Sequence, residues 1–523
     1  MTTPNDSDLF ARANQANLDG MATAVWAAAN PDKIAVYEAN GRSRSYGELN
    51  ANANRIARLL RAAGLKPGDA IALVCTNRVE FAEVVTGALR AGVRLTPVNW
   101  HLTAEEIAYV IQNCEAKVLF ADARVAAAPE AAAQCPDLRL SLMIGGEADG
   151  FENYDAALAA FDGADIDDPV RGFMMLYTSG TTGRPKGVYK PNAPILPMDP
   201  VYDRDTDVHL CTGPGYHASP MAGDIRKPLA NGVATVLLDK WDSEQVLALI
   251  EKYRITRGHF VPIMFQRLLA LPQAVRAKYD LSSIRRISHG AAPCSPEIKR
   301  AMIEWLGPVL YEYYAGSEGG VGFLVESEEW LRKPGTVGRL PRPGAAKILD
   351  ERGEECPPGQ PGTIYMSLAD QGGFDYFKDP AKTGGARRDG YFTMGDVGYF
   401  DEDGYRFLTG RNAETIIAGG VNIYPQEVDN ELIKHPAVED SCTIGAPHDE
   451  WGEEVRAVIQ LKSGYEPSEA LRAELLAFAA ERVAKFKAPR GLDFVAELPR
   501  SEAGKIQRNK VRAPYWAGRT RQI

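Results

Sequence analysis

Between Lys33 and Asp122, short apolar runs alternate with amphipathic ones, and the same alternation returns between Gln245 and Tyr313. In the first stretch IAVY is followed by a helix that Ser45 and Glu48 open as a capping box, then by AIALVC, a second helix and a strand at Ala116 to Ala121. The second stretch reads as a helix at Gln245 to Tyr253, a strand at His259 to Pro262 and a helix at Met264 to Ala270. It continues with a strand at Arg286 to His289, a helix at Pro296 to Trp305 and a strand at Val309 to Tyr313. Strands separated by helices pair in parallel, because a parallel pair needs a crossover connection. The rhythm predicts an α/β protein with two parallel-sheet βα subdomains.

From about Pro334 to Phe407 the texture changes to Gly and Pro punctuation between short β-like runs, with a turn at Asp401-Glu402-Asp403-Gly404. This predicts a β-rich lobe attached to the two subdomains. At 523 residues the chain exceeds the size at which one core keeps growing. After Arg411 the remaining segment has the length and mixed pattern of a small α+β domain. The expected division is residues 1–411 as the large N-terminal domain and 412–523 as a small, mobile C-terminal domain. Ala126 to Ala133 reads as a surface helix.

Several function classes are excluded early. No apolar run approaches the ~18 residues that would span a bilayer, and MTTPNDSDLF has neither a basic start nor an apolar core, so a cytoplasmic address is expected. The seven cysteines are scattered without close pairs and the seven histidines show no HExxH spacing, which argues against a disulfide framework or a protein-held zinc. A net charge of -10 offers nucleic acid no general attraction. An anionic ligand must be held by local donors.

One stretch supplies such donors. YTSGTTGRPKG, Tyr177 to Gly187, follows the apolar run Phe173 to Leu176. It departs from the GxxxxGK[ST] loop, since Lys186 lies six residues after Gly180 and is followed by Gly187. Gly180 and Gly183 still permit positive φ and exposed amides, Thr178, Ser179, Thr181 and Thr182 add hydroxyls, and Lys186 adds a charge. These are the parts of a triphosphate cradle.

The loop resembles the signature of the adenylate-forming superfamily, in particular its acyl-CoA synthetases. Eight further stretches match in order: GPGYHASP (213–220), GAAPC (290–294), YYAGSEGG (313–320), GTVGR (335–339), YFTMGDVG (391–398), LTGRNAETIIAGGVNIYP (408–425), DEWGE (449–453) and PRSEAGKIQR (499–508). The resemblance implies an AMP-forming acid–thiol ligase whose substrates are ATP, a carboxylic acid and coenzyme A, with Mg²⁺ accompanying the phosphates. A carboxylate is a poor electrophile, and attack on the α-phosphate turns it into an acyl-AMP.

Residue by residue, the resemblance assigns Thr178, Ser179, Gly180, Thr181, Thr182, Lys186 and Ser317 to the phosphates, and Thr178 with Glu318 to the metal. Tyr314 is the aromatic face for adenine, with Gly290 and Ala291 leaving room for the base. Asp396 and Arg411 match the ribose pair, and Lys505 the lysine that reaches the reacting carboxylate and α-phosphate. A unit charge at ~4 Å under an effective dielectric of ~20 is worth about 4 kcal/mol, roughly a thousandfold in rate. The catalytic set is then Lys505, Glu318, Thr178 and His217. The second step needs a thiol to reach the acyl-AMP, and the family rotates its C-terminal domain about a hinge that falls on Ala413. Gly419, Gly420 and Trp451 match the pantetheine side. Two departures stand out: Ala413 replaces the usual polar hinge residue, and Ala315 replaces the first glycine of the family's YGxTE.

Amino-acid-activating relatives carry an acid beside the aromatic of GPGYHASP, to pair with the α-ammonium. Here the pair is Tyr216-His217, so an acid lacking that ammonium is expected, with His217 gating acyl or thiol access. HFVPIMFQRLLALP and HGAAPC are most similar to bacterial fatty-acyl-CoA synthetases, which implies a medium- or long-chain fatty acid. Alternatives are an aryl-acid or steroid-acid CoA ligase, or an acyl-AMP ligase loading a carrier protein. A catalytically silent acyl-AMP binder is disfavoured because Lys505, Glu318 and Asp396 are all present. The basic tail, Arg508, Lys510, Arg512, Arg519 and Arg521, reads as a solvated tail or a landing site for the CoA 3′-phosphate rather than for nucleic acid. A homodimer is an assembly compatible with this reading.

Overall fold

The computed structural model describes residues 4–178, 185–320, 323–369, 373–411, 414–418, 421–448, 451–501 and 504–518. The α/β reading holds. A first sheet is parallel throughout, in the order Glu152–Asn153, Leu140–Ile144, Ala116–Asp122, Ala70–Val74, Arg94–Pro97, Phe173–Met174. Its inner strand Ala70–Val74 is buried at every position, as a strand covered by helices on both faces must be. A second sheet runs Phe323–Glu326, Leu310–Tyr314, Arg286–His289, Arg257–Phe260, Val208–Cys211, Ala234–Leu237, Ile34–Glu38, Ser43–Ser45, with only its two edge strands antiparallel.

One expectation changes. The IAVY strand, which the rhythm groups with the units up to Asp122, belongs to the second sheet, pairing in parallel with Ala234–Leu237 about 200 residues later. Periodicity reports that a segment is a strand but carries no record of its partner.

The helices Tyr46–Ala62 and Val79–Arg90 lie between the sheets. The first is opened by the expected box, Glu48 N–H donating to Ser45 Oγ at 3.2 Å and Ser45 N–H to the Glu48 carboxylate at 2.8 Å. One buried cluster joins Val36 and Leu237 of the second sheet, Ile71 and Phe120 of the first, and Ile56, Leu60, Phe81 and Val84 of these helices. Each such side chain contributes about 1.5–3 kcal/mol by leaving water. The helices cross closely at Gly87, where a β-carbon would lie 2.7 Å from Ile56. Ala127–Ala133 is a helix that buries Ala128 and Ala131, so the Ala-rich run has a docked face rather than being wholly exposed.

The Gly/Pro-punctuated region forms an antiparallel sheet built from Thr336–Arg339, Tyr405–Arg411, Asp396–Phe400, Gly362–Ser367, Tyr391–Phe392 and Arg387–Arg388, with Ala346–Leu349 paired to Gly362–Ser367. Residues from Ile416 onward build a five-stranded sheet with its own core, including Ile416, Val428, Val455, Leu475 and Leu492. Among the described residues no helix is long and apolar enough to cross a membrane.

Candidate nucleotide and acyl site

The strands Asp396–Phe400 and Tyr405–Arg411 are joined by a turn in which the Asp401 carboxylate accepts from the N–H groups of Asp403 and Tyr405, and Gly404 takes φ +79°. That turn fixes a register with Asp396 opposite Arg411. Arg411 Nε donates to Asp396 Oδ1 at 2.8 Å and the Tyr314 hydroxyl donates to Oδ2. The charge of Asp396 raises the Arg411 pKa further, while the guanidinium keeps accessible surface for a ligand. Beneath Tyr314 lies Arg406, fully buried, 3.9 Å from that ring centroid and 3.2 Å from that of Phe323. None of its three nitrogens has a hydrogen-bond partner among the described residues, and burial lowers its pKa to about 9. Arg406 therefore covers one face of Tyr314, and an adenine ring has only the opposite face to use.

Gly290 and Ala291 turn the chain at the end of Arg286–His289. A β-carbon on Gly290 would lie 2.7 Å from the Tyr313 carbonyl and 2.8 Å from its ring, and Ala291 adopts φ +67°. The close approach that requires glycine here is to Tyr313.

Glu318 is buried, and its Oε1 accepts from the Tyr376 hydroxyl at 2.9 Å. Gly316 is obligatory beside it, since a β-carbon would sit 2.1 Å from Met394 sulfur and 3.0 Å from Glu318 Oε2. Ala315 packs against Gly320, where a β-carbon would come within 2.4 Å, so the loop carrying Ser317 is tight. Glu318 Oε2 has no protein donor among the described residues, so a hard cation fits there. Across the strand pair Leu176–Thr178 and Lys186–Tyr189, Thr178 lies opposite Lys186. Lys186 Nζ is 3.4 Å from Asp379, which holds it at the end of the strand.

Lys505 arrives from the C-terminal region on a turn: Gly504 takes φ +75°, its N–H donates to the Ser501 carbonyl at 2.8 Å, and Arg500 bridges Ile506. A β-carbon on Gly504 would sit 2.4 Å from Ile263, so the turn is pressed onto the helix Pro262–Leu269 of the large domain. Lys505 keeps exposed surface along its side chain, and its ammonium sits among charged groups. Burial and Arg411 lower its pKa, and Asp396 and Glu318 oppose them. His217 is close enough that Lys505, after burial, helps lower its pKa to about 4, with His101 contributing least. The His217 ring lies 4.6 Å from Tyr216, and its Nε2 has no hydrogen-bond partner among the described residues. Nearby the Tyr313 hydroxyl donates to Ser219 Oγ at 2.6 Å and pairs with His259 Nε2 at 2.8 Å.

The fold thus brings together Glu318, Tyr314, Asp396, Arg411, Lys505 and His217, with Thr178 and Lys186 on one strand pair. Ser179, Gly180, Thr181, Thr182, Ala413, Gly419 and Gly420 lie outside the described residues. Trp451 is elsewhere on the C-terminal sheet, stacked on His448 at 4.2 Å with Arg490 3.6 Å over its ring. The basic tail is corrected at two of its five positions; Lys510 is exposed, and Arg519 and Arg521 lie outside the described residues. Arg508 pairs with the buried Asp429 at 3.0 Å and with Glu414 at 3.2 Å, and Arg512 with Glu453 at 2.6 Å. These two arginines are internal struts, since their acids lie on the helix and strands they pack against. Sequence reading missed Arg406, Tyr376 and Asp379, which stand outside the signature stretches. Alternation along Tyr405–Arg411 gives the only local hint, placing Arg406 on an inward face.

A carboxylate–guanidinium pair of the kind that holds a ribose, a carboxylate oxygen without a protein donor among the described residues and a lysine brought in from the C-terminal region together define an adenylate-forming enzyme. The profile of the AMP-binding enzyme family matches residues 23–369, and that of the AMP-binding enzyme C-terminal domain matches 427–505. The chain belongs to the AMP-binding enzyme family. It is 31% identical to the fatty acid–[acyl-carrier-protein] ligase ScoC of Streptomyces coeruleorubidus, over 92% of this chain and 94% of that one. It is 32% identical to a feruloyl-CoA synthase of an Amycolatopsis species, over 91% and 94%. Among solved structures, the ATP-bound RpMatB-BxBclM chimera B1 superposes with a TM-score of 0.80 at 31% identity, covering 94% of this chain and 98% of that one.

Proposed function

We propose that this protein is an acyl-CoA synthetase that activates a medium- or long-chain fatty acid with ATP and passes the acyl group to coenzyme A. In the first step a carboxylate oxygen attacks the α-phosphorus and the bond to the β-phosphate breaks, giving acyl-AMP and pyrophosphate. In the second the CoA sulfur, having lost its proton, attacks the acyl carbonyl and AMP leaves. The observation that carries this reading is the position of the Lys505 ammonium, close enough to Arg411, Asp396 and Glu318 to feel the charge of all three.

Asp396 and Arg411 hold the ribose hydroxyls as acceptor and donor, and Tyr314 orients Asp396 while offering one ring face to the base. Lys186 neutralises the outer phosphates from the strand end where Asp379 steadies it. Lys505 binds the incoming carboxylate beside the α-phosphate, cancelling the repulsion between two anions. Glu318 and Thr178 would hold Mg²⁺, which supplies charge neutralisation of the phosphates when bound. His217, neutral, closes the acyl side. For the thiol to enter, the Lys505 turn must leave Ile263, with residues 412–523 turning about Ala413 and the Gly419-Gly420 loop and Trp451 replacing it.

The relatives' names span fatty and aryl acids and a carrier-protein acceptor. Pyrophosphate–ATP exchange and CoA-dependent AMP release, run with fatty acids of graded length, hydroxycinnamates, benzoates and steroid acids, test the reading. Fatty acids of about eight carbons or more should support both reactions. Exchange without CoA turnover would favour the carrier-protein acceptor, and no exchange with any acid would overturn adenylation.

A further inference from the structure

The strand Tyr405–Arg411 carries two arginines that bear on Asp396. Arg411, at its end, donates to that carboxylate directly. Arg406, near its start, is anchored through its backbone, where Thr336 Oγ1 donates to its carbonyl at 2.9 Å. Its side chain leaves the antiparallel lobe and meets the edge of the second sheet, where Tyr314 stands opposite Phe323 in the strand pair. The two rings are edge to face, with centroids 6.3 Å apart and planes at 78°. The guanidinium lies against both, 3.9 Å from the Tyr314 centroid and 3.2 Å from that of Phe323.

Arg406 has no accessible surface, and none of its three nitrogens finds a hydrogen-bond partner among the described residues. A buried charge left in that state costs stability. Arg90, equally buried, is housed differently: it donates to the side chains of Asn50 and Asn54 and to the Thr23 hydroxyl. A structural arginine of that kind spends its N–H groups on acceptors, whereas Arg406 spends them on two ring faces. One of those rings donates its hydroxyl to Asp396, and Asp396 is the carboxylate whose charge reaches Arg406. Local rules broken in this way are expected where function requires them.

A cation against one face of a phenol ring draws electron density toward itself and polarises the O–H bond. Burial and Asp396 raise the Tyr314 pKa, and Arg406 is the largest influence acting against them. We propose that Arg406 is a positioning residue for the nucleotide: from behind the Tyr314 ring it holds that ring in place and strengthens the hydroxyl's bond to Asp396, so that ATP affinity depends on a side chain the nucleotide never touches. The inference rests on the nucleotide reading above and goes beyond it in the part it gives to Arg406. The ribose carboxylate then answers to two cations of one strand, Arg411 through a direct bond and Arg406 through an aromatic ring.

The test measures the Kd of ATP with Mg²⁺ by calorimetry, together with denaturant unfolding, on the full-length protein, so that no acid substrate is needed. Arg406→Met, similar in length and uncharged, should weaken ATP binding by about tenfold. It should not lower the unfolding midpoint, because it removes an unpaired buried charge. Arg406→Lys should recover part of the affinity. In a Tyr314→Leu background, where the ring is gone, Arg406→Met should change the Kd by less than about twofold. A Kd unmoved by Arg406→Met, or a shift of equal size in the Tyr314→Leu background, overturns the proposal and leaves the nucleotide site standing. A lowered midpoint, or failure of both Arg406→Met and Arg406→Leu to fold, would mark Arg406 as a structural strut and overturn it too. Absence of ATP binding by the wild type strikes the nucleotide reading itself, and the proposal falls with it.

Discussion

Asp396 stands directly across the strand pair from Arg411, 2.8 Å from its Nε, and its other oxygen takes the hydroxyl of Tyr314. One carboxylate therefore sets both the guanidinium and the aromatic ring. Asp396→Asn should raise the KM for ATP by about 10–100-fold, the value of a charge-assisted pair, with a smaller change in kcat. Pyrophosphate exchange as a function of ATP concentration measures it, and an unchanged KM would remove Asp396 from the nucleotide site.

Lys505→Ala should slow pyrophosphate exchange by about a thousandfold and leave thioester formation from supplied acyl-AMP largely intact. Burial and Arg411 favour the neutral amine, so the folded pKa lies below 10.5. The cation is complete at lower pH and is lost as pH rises through that lowered value. Adenylation should accordingly fall on the alkaline side before an ordinary lysine would titrate. Equal loss of both half-reactions in the alanine variant would contradict the assigned role.

With its pKa lowered to about 4 by burial and by Lys505, His217 is neutral at physiological pH. The acyl-dependent rate should show no histidine inflection near its ordinary value of about 6.5. His217→Asp places a charge against the acyl chain and should raise the KM for decanoate by at least about tenfold. Unaltered kinetics would take His217 out of the pocket.

Ala413→Pro fixes φ at the proposed pivot. Exchange should persist while overall thioester formation falls by about tenfold or more. Unchanged overall turnover would count against that pivot.

Arg508 and Asp429 form a buried pair that also takes in the Ser441 hydroxyl and the Thr443 N–H. Removing one partner strands the other charge, so Arg508→Ala should destabilise the C-terminal sheet by about 3–5 kcal/mol. Denaturant unfolding followed in that region reads the loss, and a change under about 1 kcal/mol would show the pair to be superficial.

Much of this protein was legible in its chain. Capping residues, hydrophobic periods and Gly/Pro punctuation are local, so the helix opened by Ser45, the inner strand Ala70–Val74 and the turn at Asp401 follow from their own residues, whereas the strand Arg94–Pro97 and the helix Ala104–Asn113 were not read. The assignment of Glu318, Asp396, Arg411 and Lys505 came through the family resemblance, and two of them stand beside glycines that close contacts require, Gly316 against Met394 and Gly504 against Ile263. Pairing was a different matter. That Ile34–Glu38 joins Ala234–Leu237, that Arg406 slides under Tyr314, and that Arg508 turns inward depend on segments tens to hundreds of residues apart. Local propensity acts through neighbours along the backbone, whereas burial and charge act through space, and only the folded chain decides which distant groups share a low-dielectric interior.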